Sequence, residues 1–152
     1  MKGFTGPPAG GPGRHLLNTQ VQCLLGEAWV DYLLTVCGGA RDVQTRVWPT
    51  VREVVVRFES ECFSDEALLC GVRPILRGRR TFTLQQALWA AADGRLVATG
   101  QVVIVTVDST GRSIEVPHDY WAAVERFENR SIPPTSILGP SAPPTPPLGP
   151  GD

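Results

Sequence analysis

Lysine is almost missing from this chain. Lys2 is the only one in 152 residues, and every other basic side chain is arginine. With 14 basic against 15 acidic residues the formal charge is −1, which gives neither nucleic acid nor a membrane surface a reason to bind in bulk. A long hydrophobic run is also missing. The opening MKGFTGPPAGGPGR has no apolar core of signal-peptide length, and no stretch reaches the length of a membrane span. The expectation is a soluble, cytoplasmic protein. Four cysteines, at 23, 37, 62 and 70, include no CxxC pair, and neither His15 nor His118 flanks one at zinc-site spacing. That argues against a structural metal and for free thiols in a reducing compartment.

What is present is enough for one core. At 42% hydrophobic and 19% charged residues, a chain of this length reads as one domain. Its main feature is the stretch Asn18–Gly39, where Val21, Leu24, Leu25, Ala28, Trp29, Tyr32, Leu33 and Val36 keep the i, i+3, i+4, i+7 spacing of an amphipathic helix. Asn18 and Thr19 are good N-cap types, and Gly38-Gly39 offer a left-handed stop. Those eight side chains represent roughly 12–24 kcal/mol of gross burial. Before the helix, residues 1–13 are rich in Gly and Pro and read as disordered. After Ile132 eight of the 14 prolines crowd between Pro133 and Pro150, so residues 131–152 read as a disordered, polyproline-biased tail. The folded part is expected over 14–130.

From Val51 the period changes from 3.6 to 2. Val54, Val56, Phe58, Ser60 and Cys62 alternate against charged residues, as in a half-buried strand. A second strand is expected over Ala67–Leu76, where Pro74 argues for a sheet edge or a bulge. A third is expected over Thr81–Ala91, a two-residue Asp93-Gly94 hairpin next, and a fourth over Leu96–Val107, with burial on both faces at Val102–Val105. Asp119–Glu128 repeats a helical pattern. The class is therefore α+β: one long central helix packed on an antiparallel sheet, closed by a short C-terminal helix. A single sheet covered by one helix leaves edges unpaired, so a homodimer or homotetramer is expected.

The helix register His15-Leu-Leu-Asn18-Thr-Gln-Val21, followed by LRGRRTFTL, a DG hairpin and VATGQVVIVTVD, resembles the hotdog-fold acyl-CoA thioesterases of the 4-hydroxybenzoyl-CoA thioesterase branch. The resemblance covers most of residues 14–128. It implies a hydrolase acting on an acyl-CoA or acyl-carrier thioester, with coenzyme A as part of the substrate and no separate cofactor. It also implies that the backbone N–H of Asn18 polarises the thioester carbonyl at the helix start. The chain departs from the family where a carboxylate should stand four residues before the histidine. Gly11 occupies that position, and the family's first strand is expected to be absent.

Several residues then compete for the chemistry. Glu27 lies on the central helix, where another branch of these thioesterases carries its carboxylate, but about 140° from the centre of the apolar stripe. His15 is of a type suited to general base work, or to a structural loop. Arg77, Gly78, Arg79, Arg80 and Thr81 form either a receptor for coenzyme A phosphates or a charged turn that keeps a sheet edge soluble. The alternative to an enzyme is a catalytically reduced hotdog module that binds acyl thioesters or assembles with an active partner.

Overall fold

The computed structural model describes residues 3–4, 15–36 and 48–134. In chain order the elements are β1 (Gly3–Phe4), α1 (Asn18–Val36), β2 (Trp48–Phe58), β3 (Leu68–Arg77), β4 (Thr81–Ala90), β5 (Leu96–Val107) and α2 (His118–Glu128). The strands form one antiparallel sheet in the order β1-β3-β4-β5-β2.

The apolar stripe of α1 does what its spacing predicts. Val21, Leu24, Leu25, Ala28, Tyr32, Leu33 and Val36 are buried, and Trp29 is partly so. The first half of the helix packs with Leu68, Cys70, Leu88 and Ala98, and the second half with Phe82, Leu84, Val102 and Ile104. Gly100 lets the helix come down on the sheet. A Cβ there would stand 3.3 Å from both Leu25 and Gln86, and the Gln86 side-chain amide donates to the Leu25 carbonyl at 2.5 Å. Helix α2 closes the same side with Tyr120, Trp121 and Val124. It is tied to α1 where the Tyr32 hydroxyl donates to Glu128 at 2.7 Å. Burial, then that hydrogen bond, pushes the Tyr32 phenol well above its usual range.

Several expectations need correction. The N-cap is Leu17, whose carbonyl accepts the N–H groups of Gln20 and Val21; the Gln20 side chain reaches back to the Leu17 N–H at 2.8 Å. Asn18 is thus the first residue inside the helix. Strand β2 is not half-buried: Val54 and Val55 on its two faces are 52% and 43% exposed, and it ends at Phe58, before Ser60 and Cys62. Alternation in sequence needs a covering layer to become burial, and α1 crosses β3 and β4 instead. The Asp93-Gly94 turn is wider than two residues, because pairing resumes only between Ala90 and Arg95, with Gly94 at φ +71. On β5, Val102 and Ile104 are buried while Val103 and Val105 are only partly covered.

The ends also differ from expectation. Gly3–Phe4, within the segment read as disordered, pair with Leu69 and Leu68, so a short first strand is present. The domain continues past residue 130. Ile132 is 1% exposed, its N–H donates to Glu125, and the Pro133 carbonyl accepts the Arg77 N–H. The rest of the Pro-rich tail, the Gly38-Gly39 stop and Cys37 lie outside the described residues. Pro74 behaves as read: β3 has a register shift between Pro74 and Leu76 and lies next to the sheet's edge. Asn129 ends α2 in a left-handed conformation (φ 51).

Two glycines test this packing in opposite directions. A Cβ on Gly71 would come 2.9 Å from the buried ring of Trp89, whereas one on Gly26, within α1, meets nothing within 4 Å. Gly71→Ala is expected to destabilise the fold by about 1–3 kcal/mol. Gly26→Ala is expected to stabilise it by about 0.5–1 kcal/mol. Urea unfolding followed by circular dichroism measures both, and the same sign for the two would refute the packing described.

Candidate active site

A cavity of about 310 Å³ opens at the start of α1. One wall is His15, Leu16 and Asn18, with Val21 a turn further on. The facing wall is the end of β2 and the segment after it, Phe58 to Cys62, and Val97 of β5 completes the lining. Val21, Cys62 and Val97 are buried, while His15, Asn18, Phe58, Glu59 and Glu61 are exposed. The floor is therefore apolar and the mouth polar, which suits a ligand with a greasy chain and one polar reacting group.

Backbone pairing brings the two walls together. The Leu16 N–H donates to the Cys62 carbonyl at 2.8 Å, and His15 and Phe63 form an antiparallel bridge. The His15 ring rests on the Phe63 ring, with centroids 4.8 Å apart and planes tilted by 36°. Around the segment Arg95 acts as a latch. Its guanidinium donates to Ser60 Oγ at 3.1 Å, to the Glu61 carbonyl and to the Glu66 carboxylate. Glu66 in turn accepts the Phe63 N–H at 2.9 Å. The N–H groups of Glu59 and Ser60 both reach the Val97 carbonyl. Two short segments distant in sequence are thereby held in fixed register.

The electrostatics of the first helical turn are unusual in one respect. Leucine at the N-cap has no side-chain acceptor to offer, so among the described residues the Asn18 and Thr19 amides have no partner. They sit at the positive end of α1, and Asn18 lines the cavity. Cys62 contributes differently. Burial, then its hydrogen-bonding contact with Glu66, pushes its thiol up to about 11, so it is a neutral lining group at ordinary pH. Burial alone pushes the Cys70 thiol up to about 12.

The structure brings together only part of the set read from sequence. Asn18 and His15 share the cavity. Glu27 is exposed on the outer face of α1, about 14 Å further along the helix axis. The turn Arg77-Gly78-Arg79-Arg80-Thr81 pairs with the far end of β5, at Val105, roughly 27 Å along the strand from Val97. Arg77 meets Glu125 at 3.5 Å, Arg79 donates to Glu115 at 2.6 Å, and the Arg80 carbonyl accepts the Thr106 N–H. Sequence reading missed Glu59, Glu61 and Arg95. Glu59 and Glu61 looked like the solvated face of a strand, and no local signal links position 61 to position 17. Gly11 lies outside the described residues. Among those described, no group of three or more His, Cys, Asp or Glu is placed to hold a metal ion, and no helix is long and apolar enough to cross a membrane.

The chain belongs to the thioesterase-like superfamily, whose family model matches residues 12–134. Its architecture is that of a single hotdog-type α+β domain. None of the curated proteins matches it. Among solved structures it is similar to a Thermus thermophilus thioesterase complexed with coenzyme A and zinc, at 19% identity and a TM-score of 0.68, covering 80% of this chain and 87% of that one. A Staphylococcus aureus protein solved in complex with CoA is 13% identical, with a TM-score of 0.73 and coverage of 91% and 86%. A thioesterase-superfamily protein of Jannaschia sp. CCS1 is 17% identical, with a TM-score of 0.72 and coverage of 82% and 90%. At these identities the likeness is one of fold.

Alkylation checks the state of the cavity floor. With a thiol at about 11, roughly one Cys62 in a thousand is ionised at pH 8. Iodoacetamide labelling read by peptide mass spectrometry is expected to modify the exposed Cys23 first, with Cys62 rising only as the pH approaches 11. Equal labelling of the two at pH 8 would show an ionised, reactive Cys62.

Proposed function

We propose that this protein hydrolyses acyl thioesters of coenzyme A or of an acyl carrier protein, at the cavity beside the first turn of α1. The observation that carries the reading is the uncapped helix start. The Asn18 N–H has no acceptor among the described residues, and its residue lines the cavity. An amide at the positive end of a helix donates to a carbonyl oxygen more strongly as that oxygen gains charge, and one such donor is typically worth about 2.7–4 kcal/mol. The acyl chain lies against the apolar floor. Family membership supports thioester chemistry, and two of the similar structures hold coenzyme A. Free thiols at Cys23, Cys62 and Cys70 suit a reducing compartment such as the cytoplasm.

The working unit is a homo-oligomer built on β2. Among the described residues that strand pairs only with β5 and has no partner on its other backbone edge, and Val51, Val54, Val55 and Phe58 are exposed. The opposite edge is guarded by β1, by the Pro74 bulge and by residues 133–134. A second chain on β2 would cover the apolar residues and approach the cavity, since Phe58 belongs to both surfaces. It is also the only way for the Arg77–Arg80 turn to serve the cavity in holding coenzyme A phosphates, because within one chain the two lie at opposite ends of the sheet.

Thiol release from a panel of acyl-CoAs tests the activity. Asn18→Pro removes the donor while leaving a residue that suits the first helical position. It is expected to lower kcat/KM by about 10²–10³-fold with the fold intact. No turnover by the wild type across the panel, with acyl-CoA binding retained, would return the protein to the non-catalytic binding module. Light scattering tests the assembly. Val54→Lys, a charge placed on the bare strand, is expected to shift the oligomer to monomer, and an unchanged mass would place the interface elsewhere.

A further inference from the structure

Hydrolysis at this cavity needs a group to take a proton from water, and the Asn18 amide can only donate. Several residues are available, and geometry separates them. The outward Glu27 is too far along α1. The His15 ring is laid against Phe63, and the Glu59 carboxylate accepts the Thr99 hydroxyl at 3.3 Å. Glu61 remains. It lines the cavity, is exposed, and its carboxylate has no partner among the described residues.

Register places it more closely. The bridge joins His15 to Phe63 and the next hydrogen bond joins Leu16 to Cys62, so Glu61 comes just after the paired stretch, where the facing segment turns into α1 at Leu17. Leu17 is the N-cap, and the next amide along the chain is that of Asn18. Side chains opposite one another in such a pair share a face. Leu16 and Cys62 both face the core, so Glu61, next to Cys62, falls on the solvent side, where it lines the cavity together with Asn18. The backbone at Glu61 is held on both sides: Arg95 bonds its carbonyl, and Leu16 bonds the carbonyl of Cys62. A carboxylate on a fixed backbone, free of other duties and beside the only uncapped helical turn among the described residues that meets the cavity, is arranged for proton transfer.

Resting on the thioester-hydrolysis reading, we propose that Glu61 is the general base of this site, standing in for the carboxylate that the chain lacks at Gly11. The Glu61 carboxylate takes a proton from water as the water oxygen bonds to the thioester carbonyl carbon. The carbonyl π electrons move to oxygen, where the Asn18 N–H holds the charge. The intermediate then re-forms the carbonyl, the carbon–sulfur bond breaks, and the leaving thiolate recovers the proton from Glu61. One thioester and one water give one carboxylic acid and one thiol, with the enzyme unchanged.

The test is steady-state hydrolysis of the same acyl-CoA panel by the full-length wild type, Glu61→Gln, Glu61→Asp and Glu27→Gln. The control is Asp119→Asn, an exposed residue in the first turn of α2, outside the cavity lining. Glu61→Gln is expected to lose about 10²–10⁴-fold in kcat with KM nearly unchanged. Glu61→Asp is expected to keep part of the activity with a reduced kcat, and Asp119→Asn to match the wild type. Thermal unfolding of all variants near the wild-type midpoint assigns the loss to chemistry. An active wild type with Glu61→Gln at full kcat, or the loss found in Glu27→Gln instead, overturns the inference and leaves the hydrolase reading standing. A wild type that turns over no thioester sinks both.

Discussion

The burial of one helix stripe against β3 and β4 is the interaction on which the rest depends. Seven side chains of α1 leave water there, and among the described residues no other element buries as many apolar side chains. Because Gly100 has no Cβ, the helix backbone comes close enough for Gln86 to bond the Leu25 carbonyl, which fixes the helix along its own axis as well as against the sheet. Its first turn is then held at the end of the sheet where β5 begins and β2 ends. The site exists because that turn meets that end.

The same packing explains what is left bare. A helix about 10–12 Å across cannot cover a sheet of this width, and α1 lies over β3 and β4. Strand β2 therefore extends past the covered region with both faces exposed, although its valines follow the pattern of a core strand. Among the described residues the β3 edge carries β1, the Pro74 bulge and residues 133–134, whereas β2 pairs on one side only, with β5.

Around the cavity, polar groups supply the order that apolar packing cannot. The segment from Glu59 to Glu66 carries few core side chains, yet it is fixed by the Arg95 guanidinium, by Glu66 and by two amides sharing the Val97 carbonyl. A single Arg with its planar set of donors can do this where Lys would satisfy fewer acceptors at once. That use suits a chain whose basic residues are almost all arginine. Among the described residues neither the Asn18 amide nor the Glu61 carboxylate is taken up by this network, and both belong to residues that line the cavity.

By itself the sequence determined the local elements. Periods of 3.6 and 2, Pro74 at a bulge and the apolar run of β5 are written in neighbouring residues, since helix and strand geometry repeats over a few positions. The Asn18 position at the helix start was legible for the same reason. Only the tertiary structure decided which alternating strand would be covered, that Leu17 rather than Asn18 would be the cap, and that Ile132 would return to the core. It also decided that Glu61 would line the same cavity as Asn18 while Glu27 and the Arg77–Arg80 turn stood apart. The meeting of the Glu59–Cys62 segment with the start of α1 depends on pairing between residues more than forty positions apart, Leu16 with Cys62 and His15 with Phe63. Such pairing is set by the packing of the whole domain and leaves no periodic trace in the chain.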